Sequence, residues 1–167
     1  MVELGVVGAD DWPAWRELRL LALEESPDAF GSRLIDWQGA RDREEHWRDR
    51  LTSVPFNVMA FEGGTPVGMA SGVPADESVE LISMYVRPQD RGTGVADLLV
   101  DAVAGWADER GAVSVVLAVR TSNERAQAFY RRLGFEEVGP ADAQPGEPPE
   151  VVMRRLAGPG SSEAQGD

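Results

Sequence analysis

Apolar residues recur along the chain at two spacings, one typical of helices and one typical of strands. A short strand is predicted from Val2 to Val7. A helix follows it, and its apolar side chains recur every three or four residues: Trp15, Leu18, Leu21 and Ala22. Asp10 or Asp11 is expected to cap this helix, and Pro13 falls in its first turn. Ser26-Pro27 is expected to end it, because proline disfavours helical geometry in the preceding residue.

A second, charge-rich helix is predicted from Asp36 to Leu51, with Trp37, Trp47 and Leu51 as its buried side chains. Strand-like segments follow it: Phe56 to Phe61, Val67 to Val73, Val79 to Val86, Val113 to Val119, Phe135 to Val138 and Val151 to Leu156. The first two form a hairpin through the turn Glu62-Gly63-Gly64-Thr65. The nearly all-apolar segment at Val113 predicts a central strand that is buried on both faces.

Two more helices lie between these strands. The first follows a loop from Arg87 to Gly94, continues to about Arg110 and is stopped by Gly111. The second runs from Asn123 to Leu133 and ends at Gly134. This order of elements predicts one α/β domain over residues 1–156, followed by a flexible polar tail over residues 157–167.

The amino-acid composition limits the kinds of partner that the protein is expected to bind. The chain has 29 acidic residues against 16 basic ones, all of them arginine, which gives a formal net charge of -13. Such a surface repels nucleic acid and anionic membranes and favours cationic partners, unless the acidity serves solubility alone. Cysteine is absent and His46 is the single histidine, so we expect no metal site. The absence of cysteine makes a reducing cytoplasm the default location, and no signal peptide or membrane span is evident.

The segment from Val86 to Asp97, V-R-P-Q-D-R-G-T-G-V-A-D, leaves a strand and opens a helix. Glycines there let the backbone approach a ligand, and the helix amino terminus carries a partial positive charge. Both features suit a pyrophosphate. The alternative is a tight turn in which glycine only permits a positive φ. The segment lacks the Gly-Lys-Ser/Thr of a Walker loop and the third glycine of a dinucleotide fingerprint.

The pattern V-x-P-x-x-R-G-x-G-V-A resembles motif A of the GNAT N-acetyltransferase superfamily, in a register that falls on Arg91, Gly94 and Ala96. A second register that starts at Gln89 also fits. Downstream, the residues from Asn123 to Phe135 are similar to motif B, N-x-x-A-x-x-F-Y-x-x-x-G-F. The resemblance covers roughly residues 56–156 and implies a mixed, mostly antiparallel central sheet flanked by helices. The first 55 residues match only in their strand-helix-helix layout.

The resemblance implies acetyl-coenzyme A as co-substrate. The amides of the loop would hold the pyrophosphate of the coenzyme. The end of the preceding strand would pair with the pantetheine arm and offer an N–H to the acetyl carbonyl. Asn123 would either bind pantetheine or only cap the helix that follows it. The residues so implied are Met84, Tyr85, Val86, Arg91, Gly92, Thr93, Gly94, Val95, Ala96, Asp97 and Asn123. Arg91, Arg125 and Arg131 are either phosphate ligands or exposed arginines.

Two residues are candidates for catalysis. Tyr130 would protonate or hydrogen-bond the departing thiolate, whereas Phe129 beside it is expected to pack in the core. Glu80, on the strand that leads to the loop, is either the general base or a solvated strand residue. Some relatives that acetylate protein amino termini place an acid two residues before the arginine of the next strand end. Ala118 occupies that place here, which counts against close kinship with those enzymes.

These features predict direct transfer of an acetyl group to a primary amine of a small molecule or peptide, in a ternary complex. The net charge favours a cationic acceptor. Transfer of another acyl group, a non-catalytic acyl-coenzyme A sensor and a protein-interaction scaffold remain alternatives, and a homodimer is left open.

Overall fold

A computed structural model describes residues 1–25 and 34–157 of the chain. They form two compact units. The first unit comprises Met1–Val73 and Leu81–Val103, and the second comprises Pro74–Glu80 and the described part of Ala104–Asp167. Pro27 and nearly all of the predicted tail lie outside the described residues. No described helix is both long and apolar enough to cross a membrane.

The first unit contains a meander of antiparallel strands. Strand β1 (Val2–Val6) pairs with β2 (Phe56–Glu62), and β2 pairs with β3 (Thr65–Ala75). The two-residue turn between β2 and β3 has positive φ at both Gly63 (57°) and Gly64 (85°), which is the geometry that tight hairpins prefer. The predicted hairpin is therefore confirmed. Strand β4 (Ser78–Val86) follows β3.

Two helices contribute to the core of the first unit. Helix α1 (Trp12–Glu25) follows a 3₁₀ turn at Ala9–Asp11, and helix α2 covers Glu44–Ser53. Asp11, one of the two expected caps, accepts the N–H of Gly8 at 2.8 Å, while Asp10 pairs with Arg48 at 2.8 Å. The core includes the three side chains predicted to be buried on the second helix, Trp37, Trp47 and Leu51.

The second helix is shorter than predicted. Instead of one helix from Asp36 to Leu51, the chain makes 3₁₀ turns at Leu34–Trp37 and Gly39–Arg41 before α2 begins. Gly39 adopts a positive φ of 62°, which a continuous right-handed helix excludes. Asp42 then leaves helical geometry and accepts hydrogen bonds from Arg16 and from the Trp47 indole. These two donors lower the pKa of Asp42 to about 2.

The second unit contains the remaining strands. The start of β4 pairs in parallel with β5 (Ser114–Arg120) at Val79 and Glu80. Strand β7 (Glu150–Leu156) then pairs antiparallel with both β5 and β6 (Glu136–Pro140). The hydrogen-bonded order of strands is β1-β2-β3-β4-β5-β7-β6, so the predicted mixed, mostly antiparallel sheet is confirmed. Strand β5 lies inside this order as expected, although Ala118 is exposed.

Two helices complete the fold. Helix α3 (Val95–Glu109) lies between β4 and β5 in the sequence, and helix α4 (Glu124–Arg132) lies between β5 and β6. Both agree with the predicted helices within a few residues at their ends. Gly111 and Gly134, which follow them, have positive φ values of 75° and 97°, as expected of glycines that terminate helices.

Gly68 of β3 allows helix α3 to pack closely on the sheet of the first unit. A Cβ atom at this position would lie 2.8 Å from Leu99 Cδ1, 3.2 Å from Val95 Cγ1 and 3.3 Å from the backbone oxygen of Tyr85. The backbone oxygen cannot rotate out of the way as a side chain can. A side chain here would therefore force Leu99 to move and would push the strand and the first two turns of α3 slightly apart.

We expect Gly68→Ala to lower the free energy of unfolding by about 1–3 kcal/mol, because it overpacks this contact. Gly5→Ala is the matched control, since a Cβ there would meet only Phe61 Cε1 at an ordinary 3.8 Å. Urea unfolding curves of both variants measure the difference. Equal stability of the two variants would contradict the close packing at Gly68.

Candidate functional site

The loop between β4 and α3 is fixed by its own hydrogen bonds. The N–H of Arg87 donates to the oxygen of Val67 at 2.9 Å, and Arg87 Nε donates to Asp90 at 2.7 Å. Thr93 Oγ1 donates to the backbone oxygen of Asp90, which lies in the 3₁₀ turn Pro88–Asp90. The first helical hydrogen bond of α3 runs from the N–H of Leu98 to Gly94 at 3.1 Å. These hydrogen bonds define the conformation of the loop.

The glycines of this loop leave open space at the start of α3. Gly92 and Gly94 have positive φ values of 79° and 92°. A Cβ atom built on either of them would have no described neighbour within 4 Å. Glycine is thus required by backbone conformation and not by protein packing. Val95 and Ala96 follow at the amino terminus of α3, where N–H groups lack helical partners and attract anions. Asp97 completes this first turn.

The end of β4 is tied to α1 by one carboxylate. Glu25 accepts a hydrogen bond from the Tyr85 hydroxyl at 2.6 Å and another from the Arg91 guanidinium at 2.8 Å. These contacts, with the Tyr85 bond as the largest cause, lower the pKa of Glu25. Arg91 Nε also donates to the backbone oxygen of Val86 at 2.9 Å. The sequence did not predict Glu25 as a member of this site, because it lies 66 residues from Arg91.

Strand β4 contains one residue with a left-handed backbone, Ser83, directly before the predicted coenzyme residue Met84. Ser83 has a φ of 56°, which is rare for any residue except glycine and is costly inside a strand. Its hydroxyl accepts a hydrogen bond from Arg50 at 2.9 Å, which helps to hold this conformation. No sequence pattern indicated this conformation, since serine carries no signal for a positive φ.

In the second unit, Glu80 lies half-buried on β4. Burial raises its pKa, and the negative charge of Glu150 raises it further. Glu150 itself pairs with Arg120 at 3.5 Å. A carboxylate with a raised pKa accepts a proton more readily near neutral pH than an ordinary glutamate does. This environment suits the predicted base and differs from that of a fully solvated strand residue.

Helix α4 carries the other predicted residues of the second unit. Asn123 caps the helix, because its Oδ1 accepts the N–H of Ala126 at 3.1 Å. The cap uses the amide oxygen and leaves the amide nitrogen as a donor for a ligand. Gln127, which the sequence did not single out, is buried and donates to the backbone oxygens of Arg120 and Thr121. It thereby ties α4 to the end of β5.

Tyr130 packs edge-on against Phe129 and Phe135, with ring centroids 5.1 Å and 5.6 Å away. Burial raises the pKa of its phenol. Phe135 is buried, whereas Phe129 is partly exposed and lies under the guanidinium of Arg132. The expectation that Phe129 belongs to the core is therefore met only in part.

The two other arginines suggested for phosphate contact also lie on α4. Arg131 approaches Gln127 Oε1 at 3.4 Å, and Arg125 is exposed.

Known proteins resemble both the sequence and the fold. The sequence profile described as Acetyltransferase (GNAT) family matches residues 12–135. An uncharacterised N-acetyltransferase of Mycobacterium tuberculosis is 40% identical over 80 residues, which cover 47% of this chain and 51% of that protein. The alignment thus spans about half of the relative's length.

Two solved structures illustrate the likeness in fold. A GNAT-family acetyltransferase from Streptococcus pneumoniae has a TM-score of 0.76 at 18% identity, with 95% of this chain and 100% of that chain covered. The PaiA N-acetyltransferase of Thermoplasma acidophilum, solved in complex with coenzyme A, has a TM-score of 0.72 at 15% identity, with 93% and 99% covered. At these identities the likeness shows the fold alone.

Tyr85 and Tyr130 are the only tyrosines of the chain, and burial raises the pKa of both phenols. We therefore expect the native protein to show no phenolate absorbance near pH 10, where unfolded tyrosine titrates. Because the folded pKa values are raised, the unfolded state ionises first and stability falls as pH rises through about 10. Tyr85→Phe assigns the remaining signal to Tyr130. Native ionisation near pH 10 would contradict the burial of these hydroxyls.

Proposed function

The chain belongs to the GNAT acetyltransferase family, and from this membership and its loop geometry we propose that it transfers an acetyl group from acetyl-coenzyme A to a primary amine. The acceptor is a small molecule or a peptide. The observation that carries the proposal is the open, glycine-lined amino terminus of α3, which follows β4 through the loop from Arg87 to Gly94. An anion is stabilised there by backbone N–H groups and by the helix dipole.

The resemblance to motif A supports the coenzyme contacts that we propose. The backbone from Gly92 to Asp97 holds the pyrophosphate, and the strand end from Met84 to Val86 pairs with the pantetheine arm. At this strand end the oxygen of Val86 already accepts a hydrogen bond from Arg91 Nε. Asn123 donates its amide N–H to pantetheine while its oxygen caps α4. No metal ion takes part.

The chemistry is a direct attack of the amine on the thioester carbon. The C–N bond forms, the C–S bond breaks, and the ammonium proton is lost to Glu80, directly or through water. The raised pKa of Glu80 suits this base role. An N–H at the strand end stabilises the developing oxyanion.

Tyr130 acts on the leaving group. A thiol has a pKa of about 8.5, and the phenol pKa is raised above its ordinary value of about 10. Full proton transfer from the phenol to the thiolate is therefore uphill by at least about 2 kcal/mol. Hydrogen bonding of the protonated hydroxyl to the sulfur in the transition state is the favoured role.

The acceptor reaches the protein as an ammonium cation. A net charge of -13 gives the protein a mean field that attracts such cations and raises their rate of encounter. This contribution is screened beyond about 8 Å at physiological ionic strength, so it weakens as salt is added.

Gly94→Ala tests the coenzyme loop. We expect at least a ~10-fold loss of acetyl-coenzyme A affinity by calorimetry, because the added Cβ enters the open space beside the helix terminus. A positive φ costs an alanine about 1 kcal/mol in any case. Gly64→Ala in the hairpin is the matched control, since its φ of 85° is close to the 92° of Gly94 and its surroundings are equally open. If both variants bound the coenzyme as well as the unmodified protein, the loop would not be the pyrophosphate site.

Glu150→Gln tests the base. Removing the negative charge of Glu150 stabilises the Glu80 carboxylate, so the pKa of Glu80 falls. We expect the acid limb of the pH profile of kcat/KM to move to lower pH, and Glu80→Gln to abolish that limb. Glu147→Gln removes the same charge from the exposed loop before β7 and serves as the control. Coincident acid limbs in the Glu150 variant and the unmodified protein would exclude Glu80 as the base.

A further inference from the structure

Arg50 of helix α2 connects that helix to the strand that leads to the coenzyme loop. Its guanidinium donates hydrogen bonds to Asn57 Oδ1 of β2 at 3.0 Å, to Ser71 Oγ of β3 at 3.2 Å and to Ser83 Oγ of β4 at 2.9 Å. These acceptors belong to three neighbouring strands of the sheet. One side chain thus joins α2 to β2, β3 and β4 within the first unit.

Two of these acceptors are themselves fixed by hydrogen bonds. Asn57 Nδ2 donates to the backbone oxygens of Leu51 and Val54, at 3.3 Å and 2.9 Å, so Oδ1 is the amide atom that faces Arg50. Ser71, the register partner of Asn57, donates its hydroxyl proton to the same Oδ1 at 2.7 Å. Its oxygen is then left to accept from Arg50. The network therefore holds the guanidinium in one orientation.

An aromatic ring supports the same guanidinium, which lies 5.1 Å from the ring centroid of the fully buried Trp15. The electron-rich face of such a ring attracts a cation. Burial lowers the pKa of Arg50 to about 10, so the group is still a cation at neutral pH. Its hydrogen bond to the Ser83 hydroxyl is charge-assisted and stronger than a bond between two neutral groups.

The backbone of β4 changes its conformation at Ser83, where φ is 56°. Before this residue burial alternates, because Val79 and Leu81 are buried and their neighbours are half-buried. After it, Tyr85 and Val86 are buried side by side. A regular strand places successive side chains on opposite faces. One left-handed residue reorients the peptide groups that follow it, which accounts for the loss of alternation.

Serine does not prefer this conformation. A positive φ brings the Cβ atom of an L-residue close to a backbone oxygen, so such residues persist only where their surroundings hold them. The contact with Arg50 is an interaction of this kind. If the backbone relaxed to an ordinary strand, the hydroxyl of Ser83 would move away from a guanidinium that Trp15, Asn57 and Ser71 hold in place. The hydrogen bond therefore favours the left-handed state.

We propose that Arg50 is a positioning residue for the acetyl group: it holds Ser83 in the left-handed conformation and thereby directs an N–H of the strand end from Met84 to Val86 at the acetyl carbonyl. This inference rests on the proposed acetyl transfer, in which such an N–H stabilises the developing oxyanion. Arg50 acts through Ser83 and not by contact with the substrate. Displacement of a group that orients the reaction costs up to ~10²-fold in rate, even when the change is distant from the chemistry.

Arg50→Gln tests this role, because glutamine is too short and too poor in donors to reach all three strands. We expect kcat for acetyl transfer to the best amine of a panel to fall by roughly 10- to 100-fold. The affinity for coenzyme A, measured by calorimetry, should stay unchanged, since the loop that binds the pyrophosphate is not altered. Arg50→Lys should not restore kcat, because an ammonium group lacks the planar fork of donors.

Arg48→Gln is the matched control. It removes an arginine of the same helix whose described ion pairs are with Asp10 and Glu44. It should leave both kcat and coenzyme affinity unchanged. A kcat that falls equally in the Arg48 and Arg50 variants would overturn the assignment, since a general effect of charge or of helix stability would explain both.

Substitutions of Ser83 separate positioning from a role of Arg50 in stability alone. Glycine adopts a positive φ without steric cost, so it needs no contact with Arg50. We expect Arg50→Gln combined with Ser83→Gly to regain much of the lost kcat, and Arg50→Gln combined with Ser83→Ala to regain none. Equal kcat in the two double variants would overturn the proposal.

Ser83→Val provides a test that leaves Arg50 intact, should the Arg50 variants fail to fold. A β-branched residue resists a positive φ more strongly than serine does. We expect the same roughly 10- to 100-fold fall in kcat, again with unchanged affinity for coenzyme A. A normal kcat in this variant would show that the left-handed residue does not position the acetyl group.

A binding measurement separates this inference from the proposed function. Acetyl-coenzyme A has the carbonyl that the N–H contacts and coenzyme A lacks it, so the ratio of their affinities reports on that N–H without any transfer. We expect Arg50→Gln to lower the ratio by roughly 2- to 10-fold, the range of one hydrogen bond. If the ratio falls while the unmodified protein acetylates no amine, the positioning role stands and the proposed function fails. If the unmodified protein acetylates amines while Arg50→Gln keeps its kcat and this ratio, the positioning role fails and the proposed function stands.

Discussion

The close contact of helix α3 with strand β3 at Gly68 is the constraint on which the coenzyme loop depends. Val95 is the first residue of α3, and the oxygen of Tyr85 belongs to the end of β4. Both meet at the position that a Cβ atom of Gly68 would occupy. The start of the helix is thereby fixed against the end of the strand that precedes it. Because the loop from Arg87 to Gly94 only has to join these two points, its glycines are free to adopt the positive φ values that leave room for an anion.

Charge is distributed in opposite ways on the surface and inside the first unit. The chain as a whole carries a formal charge of -13, yet Arg19 and Arg50 bring positive charge to the interior. Glu25 supplies a local negative charge near the end of β4, where it accepts hydrogen bonds from Tyr85 and Arg91.

The sequence predicted the elements that follow from local periodicity and turn residues. Neighbours within a few residues determine the hairpin at Gly63-Gly64, the helix after Gly94 and the Asn123 cap. The prediction of the second helix was wrong in its first half, where Gly39 adopts a positive φ and Asp42 turns toward Arg16, 26 residues away. The sequence also could not predict the contacts of Gly68, Ser83 and Glu25. Each of these residues acquires its role from residues that are distant in the chain. Motif resemblance located the loop but could not show that Arg91 is held by Glu25.

The most direct test of the account is the release of free coenzyme A thiol from acetyl-coenzyme A in the presence of a panel of primary amines, with the product identified by mass. We predict thiol release that depends on the amine, together with one equivalent of N-acetylated product. Binding of acetyl-coenzyme A without amine-dependent release would indicate a sensor, and transfer of a longer acyl group in preference to acetyl would indicate a different acyltransferase. Absence of any coenzyme binding by the intact chain would contradict the account at its foundation.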